Sequence, residues 1–394
     1  MIDVEEGFTR TPLILRFKDN PKFVETYGFH GSQGLTMLEG QLLHRPDRPS
    51  RTLYLFMHPS TTMNLLPMPV ALAEAGLHVL CAASRYPKND SALIMEKVAL
   101  DMGAWVRWAR ERGGYERVIL VGWSGGGSLS LFYQAQAENP TITDTPAGDA
   151  VDLVAAGLPR ADGIVFIAAH LSRAETLTEW MDPSVTDELV PETRDKHLDI
   201  YAVDPEMRPL YDPAFVAEFR AAQIARNRRI TAWCQDWLER LKRGGTGEVE
   251  RAFVVHRTMC DPRWLDPALD PNDRKPGTCY LGDPRVANAG PVGLARYTSL
   301  RSWLSQWSID LSRAKGPDNA ARIRDVPVLL VENSADDAVP ATHCPAIRSA
   351  LGTKDMEYVL IKGATHYYLG QPAELRQCID TVIGWSRRRG WLDA

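Results

Sequence analysis

Gly122-Trp123-Ser124-Gly125-Gly126 constrains this chain more than any other segment. Before it stands Arg117-Val118-Ile119-Leu120-Val121, a β-branched apolar run that reads as a buried strand. After it, Ser128–Ala137 reads as a helix stopped by Asn139-Pro140. A serine on so tight a strand-to-helix turn is held in strained backbone geometry with its hydroxyl exposed. Glycines two before and two after it remove side chains that would collide there. The turn also aims the helix N-terminus at the serine, where partial positive charge favours a developing oxyanion. The bland alternative is a glycine-rich turn in which Ser124 only caps the helix; the flanking strand and helix weigh toward a nucleophile.

A serine hydroxyl is a weak nucleophile at neutral pH and needs a base, itself oriented by a carboxylate. Pro327–Glu332 is a second buried-strand pattern, running into the polar loop Asn333–Pro340 with its carboxylate pair Asp336-Asp337. A third strand, Met356–Ile361, leads into Lys362-Gly363-Ala364-Thr365-His366-Tyr367-Tyr368. The order is serine, acid, histidine, each on a loop past the carboxyl end of a strand, the edge where open α/β sheets bind ligands.

On these three segments the chain resembles the α/β-hydrolase superfamily, in its serine esterase and lipase branch, over residues from about 35 to 170 and from about 325 onward. The resemblance implies a mostly parallel sheet flanked by helices, with a large, mainly helical cap inserted after the sixth core strand. It makes Ser124 the nucleophile, His366 the base and Asp336 the acid. Asp336 is preferred to Asp337 because the family's acid usually stands four residues before the loop proline, as Asp336 does before Pro340. One oxyanion donor is then the backbone N–H of Gly125. The other is expected from His58-Pro59-Ser60-Thr61-Thr62. Most relatives have His-Gly where this chain has His58-Pro59, and proline has no N–H to give. Ser60 takes the usual place after that pair, with Thr61 behind it. The hydroxyls of Ser60, Thr61 and Thr62 either add a side-chain donor or cap the helix that follows.

Strand and helix signals alternate through the first half. Residues 1–30, with Phe8, Phe17, Phe23 and Tyr27, read as an irregular arm. Met37–Leu43, Thr52–Met57, Leu77–Ala82 and Gly163–Ala168 read as strands, Met68–Ala75 and Ala92–Arg112 as helices. Such alternation predicts a parallel sheet covered on both faces. From Leu171 to Arg324 it stops. Roughly 150 residues between two core strands exceed an ordinary loop, so residues 171–324 are expected to form the cap, and 1–170 with 325–394 the core. Within the insertion, Phe215–Lys242 is the strongest helix, with Ile230, Trp233, Cys234, Trp237, Leu238 and Leu241 on one face and Gly244-Gly245 at its end.

Six of the eleven tryptophans (Trp180, Trp233, Trp237, Trp264, Trp303 and Trp307) lie in the insertion. Most should hold a poorly patterned cap together, while one or two could line an apolar substrate pocket. Asp182–Glu188, Arg257–Arg263 and Arg301–Ser308 resemble stretches of bacterial α/β-hydrolases without assigned substrates. Their Asp-Pro and Arg clusters, with Val203-Asp204-Pro205, are expected to cap helices and fix loops.

A net charge of −5 argues against nucleic acid as the main partner. Arg387-Arg388-Arg389 reads as a helix end complementing the dipole. No apolar stretch reaches about 18 residues, so no membrane span is expected. Met1–Glu6 lacks a signal-peptide pattern, which points to the cytoplasm. The six cysteines show no C-x-x-C pair and read as free thiols. The nine histidines show no metal spacing, and Gly125-Gly126-Gly127 lacks the lysine of a phosphate loop, so neither metal nor cofactor is expected. The reading is a serine hydrolase acting on a small apolar or aromatic ester, as monomer or oligomer. An acyltransferase or carbon–carbon bond hydrolase would use the same three residues, and a non-catalytic ligand binder would keep only the pocket.

Overall fold

The computed structural model describes residues 7–19, 34–202, 211–244, 247–291 and 293–392. Phe23, Tyr27, Val203-Asp204-Pro205, Gly245 and Met1–Glu6 lie outside them. Eight strands form the main sheet in the order β1-β2-β4-β3-β5-β6-β9-β10. They are β1 (Thr9–Lys18), β2 (Leu35–His44), β3 (Thr52–His58), β4 (His78–Ala83), β5 (Arg117–Ser124), β6 (Gly163–Ala169), β9 (Val328–Asn333) and β10 (Met356–Ile361). β1–β2 and β2–β4 pair antiparallel, and every other pair is parallel.

Central strands bury both faces, which is why they read as unbroken apolar runs. In β3, Leu53, Leu55 and Met57 enter one core while Tyr54 and Phe56 enter the other. The first core is closed by α2 (Met95–Glu111) and α3 (Gly125–Glu138), through Val98, Met102, Trp105, Leu129 and Phe132. The second is closed by α1 (Pro67–Glu74) and the C-terminal helix Pro372–Arg388, through Met68, Leu72, Ile379, Val382 and Trp385. Among the described residues no helix is long and apolar enough to cross a membrane.

The expected irregular N-terminal arm is corrected by β1, a ten-residue edge strand over Thr9–Lys18. Leu13, Leu15 and Phe17 pack on the core while Ile14 is exposed, so the period is two. Pro12 and the charges at Arg10, Arg16 and Lys18 mask that alternation, and all are tolerated because β1 lies at an edge.

Between β6 and β9 the chain forms the insertion. Helix α4 (Arg173–Trp180) starts directly after β6, its N-cap Ser172 accepting from the Glu175 N–H. Helix α5 (Pro213–Arg243) is capped by Asp212. The insertion also carries a small antiparallel pair, β7 (Ala252–Val254) with β8 (Tyr297–Ser299), each only three residues and too short to announce itself in the sequence. Trp303 and Trp307 stack at 5.0 Å in the core of the insertion. The Asp-Pro segments fix backbone, as when Asp182 accepts from the Ser184 N–H and Asp261 from that of Arg263. All six cysteines are free thiols, and all but Cys344 are buried.

The crossing of α3 over β3 is what sets the site. A Cβ on Gly126 would stand 2.5 Å from the Met57 carbonyl oxygen, a backbone atom with little room to yield. Gly126→Ala should therefore lose about 1–3 kcal/mol of stability, the usual range for overpacking, read as a lowered urea midpoint at unchanged m-value. A midpoint equal to the parent's would show that the crossing is looser than its geometry.

Candidate active site

β5 ends in the turn that the sequence singled out. Ser124 has φ 53 and ψ −128, a conformation costly for a residue with a Cβ. The pairing of β5 with β6 shifts between Trp123 and Ser124: Ser124 still pairs with Ala169, and the residue skipped is Ala168 of β6, itself at φ 46. Its side chain borders a cavity of about 190 Å³ at the carboxyl edge of the sheet.

His366, on the loop after β10, borders the same cavity. Its Nδ1 is 2.9 Å from Asp336 Oδ2, on the loop after β9. The other oxygen, Asp336 Oδ1, accepts from the N–H groups of Ala338 and Val339 at 2.8 and 2.7 Å. Facing a carboxylate, Nδ1 carries the imidazole proton and Nε2 is left as the basic lone pair. Asp337, the neighbour, makes no such bond: its Oδ1 is buried without a partner, and burial and then Asp336 push its carboxyl up. Asn333 ties the two loops, donating to the Thr365 carbonyl at 2.9 Å and accepting from the Tyr368 hydroxyl at 2.6 Å. In this structure Ser124 and His366 share the cavity without a direct hydrogen bond, an arrangement common before substrate tightens a site.

Trp123 was missed as a site residue. Its ring lies 4.5 Å from that of His366, and its indole N–H donates to the His366 carbonyl at 3.1 Å. Tyr367 meets the imidazole edge-on at 4.9 Å. The imidazole is thus packed against two aromatic rings, themselves 5.3 Å apart, as well as held by Asp336. The available signal was an aromatic residue beside the serine and another beside the histidine.

The loop after β3 departs from expectation. Ser60, the expected second donor, gives its N–H to His58 Nδ1 at 3.1 Å and does not border the cavity. Thr61 and Thr62 do border it, as does His58. Because Nδ1 accepts, neutral His58 must carry its proton on Nε2. That atom stands 2.5 Å from where a Cβ on Gly125 would be, which only glycine allows. Burial, then Arg173 and His366, push the His58 pKa down to about 3, so the ring stays neutral. His170 also borders the cavity and is pushed well down, first by burial and then by its histidine neighbours. Of the insertion's tryptophans, Trp180 alone borders the cavity among the described residues, backed by Trp264 at 5.6 Å. Leu66, Leu177, Tyr280 and Leu294 complete most of its apolar wall, and Arg173 is its single permanent charge among the described residues.

No family model and no curated protein sequence matches the chain. Among solved structures it is similar to DcsB in complex with its substrate analogue, at 13% identity over 96% of this chain and 99% of that one, with a TM-score of 0.50. It is equally similar to the α/β hydrolase GrgF from Penicillium sp. sh18, at 13% identity, 96% and 98% coverage and a TM-score of 0.50. The chain has the α/β-hydrolase fold.

The buried imidazoles predict an acid-side loss of stability. His58, His170 and His343 (the last pushed down to about 4, mainly by burial) all sit below the ordinary 6.5 in the folded protein. The unfolded chain therefore takes up their protons first. Their contribution is intact above about pH 6.5 and is lost as pH falls toward the folded values, at about 1.4 kcal/mol per pH unit for each histidine. His343→Gln should remove about one proton from the pH slope of the unfolding free energy, measured by urea between pH 6 and 4.5. An unaltered slope would mean that residue 343 binds its proton equally in both states.

Proposed function

We propose that the protein is a serine hydrolase that cleaves a small carboxylic ester through an acyl-enzyme intermediate, with residues 1–170 and 325–394 as the catalytic core and 171–324 as a cap over the site. One observation carries this reading: a serine in strained backbone and an imidazole held by a buried carboxylate border one cavity. Ser124 attacks the ester carbonyl while His366 Nε2 takes its proton, and Asp336 steadies the imidazolium that results. His366 then protonates the leaving alcohol. Water, activated by the same nitrogen, attacks the acyl-enzyme and releases the acid.

The tetrahedral oxyanion needs donors fixed before it forms. The N–H of Gly125, at the start of α3, supplies one, helped by the helix dipole. The second comes from the loop after β3, where Pro59 has no N–H and that of Ser60 is committed to His58 Nδ1. The same bond leaves His58 Nε2–H directed beside Gly125, so the imidazole itself takes the part usually played by a backbone amide. A neutral donor suits this role, since it does not compete for the proton that His366 must carry.

Ser124→Ala should abolish labelling by a fluorophosphonate probe and lower kcat on short-chain esters by at least about 10³-fold, with the thermal midpoint retained. Turnover equal to the parent's would refute the assignment. His58→Leu should lower kcat about 10²–10³-fold while leaving KM nearly unchanged, the signature of a lost oxyanion donor. An unaltered kcat would move that part to the Thr61 backbone.

A further inference from the structure

Ester cleavage needs no cation in the wall of the cavity, yet one stands there. Arg173, in the first turn of α4, borders the cavity with only 4% of its side chain exposed. Its Nε donates to Gln306 Oε1 at 2.8 Å and its Nη2 to Asp90 Oδ2 at 2.8 Å. Gln306 is fixed in turn, its Nε2 donating to the Asp90 carbonyl at 2.8 Å and to Ser302 Oγ at 2.7 Å. Asp90 Oδ2 also accepts the Ala295 N–H at 2.8 Å. The guanidinium is thus clamped along one edge. Its Nη1 has no acceptor among the described residues and is not among the fully buried unpartnered atoms, in a side chain that lines the cavity.

No Asp or Glu borders the cavity among the described residues. Burial lowers the Arg173 pKa even against the pull of Asp90, so the pair leaves part of the desolvation cost unmet. An anion reaching Nη1 would offset it with a charge-assisted hydrogen bond. One guanidinium already shared with Asp90 suits a single negative charge, a carboxylate rather than a phosphate dianion. A cavity of about 190 Å³ admits only a short chain between that group and the scissile bond.

We propose that the cavity takes a short ester carrying a carboxylate, with Arg173 Nη1 as the group that receives it. The proposal rests on the hydrolase reading for its chemistry, but the anion subsite can be tested apart from it.

Two series separate the sides of the ester. Monomethyl esters of three- to six-carbon dicarboxylic acids carry the anion on the acyl side, and acetate esters of short hydroxy acids carry it on the alcohol side. Each is compared with the analogue in which a carboxamide replaces the carboxylate. The parent should favour the carboxylate in at least one series by tenfold or more in kcat/KM, chiefly through KM. In Arg173→Gln that ratio should fall to within about twofold, and Arg173→Lys should restore part of it. A parent ratio near one, or a ratio unmoved by Arg173→Gln, overturns the proposal.

Should Arg173→Gln not fold, the parent alone decides. Succinate should inhibit turnover of a neutral ester competitively at concentrations at least tenfold below succinamide, and equal inhibition overturns the subsite. Should no ester turn over and Ser124 resist a fluorophosphonate, the hydrolase reading fails by itself. Succinate raising the thermal midpoint of Ser124→Ala protein where succinamide does not would then still uphold the subsite, and no difference would overturn it.

Discussion

A Cβ on Gly126 would stand 2.5 Å from the Met57 carbonyl oxygen, and the arrangement of the site depends on the close approach that its absence permits. It lets α3 begin directly at the end of β5, against the end of β3. Only then does Ser124 adopt its strained conformation with Gly125 behind it and His58 alongside. A larger side chain at either glycine would separate the two strand ends. The serine would then lose both its exposure and the helix terminus behind it.

Around that turn, polar groups are buried with their partners already chosen. Asp336 spends one oxygen on two backbone N–H groups and the other on His366, so the carboxylate has no freedom to rotate. His58 is fixed by the Ser60 N–H in the complementary tautomer. Two imidazoles therefore border one cavity with opposite assignments: basic lone pair on His366 Nε2, proton on His58 Nε2. Burial keeps His58 from gaining a second proton, and two aromatic rings hold the plane of His366.

The insertion is organised by hydrogen bonds as much as by apolar packing. In the first half of α5 the buried face carries Gln223, Arg226 and Asn227. Gln223 donates to the carbonyls of Glu179 and Met181, and Arg226 to those of Asp182 and His256. Asn227 donates to the Trp307 carbonyl and accepts from the Ile309 N–H. These side chains satisfy loop backbone that no sheet or helix would satisfy. They also anchor the end of α4, whose start presents Arg173 and whose last residue is Trp180. Cavity-facing groups of the insertion are thus positioned by a helix that itself lies away from the cavity.

The strands and helices of the core were legible in the sequence because both faces of the sheet are buried, leaving unbroken apolar runs between clear turn signals. The Ser124 elbow was legible for a related reason: its glycines answer a local steric demand that any such turn imposes. β1 was not, since a half-buried edge strand tolerates the proline and charges that hide its period. Nor was the framework of α5, because polar residues on a buried helix face look like exposed ones until their partners are known. The commitment of the Ser60 N–H, the tautomer of His58 and the clamping of Arg173 by Gln306 and Asp90 belong to the tertiary structure alone. Each depends on groups brought together from separate elements, and a hydrogen bond is decided by distance and direction, which residue order does not encode.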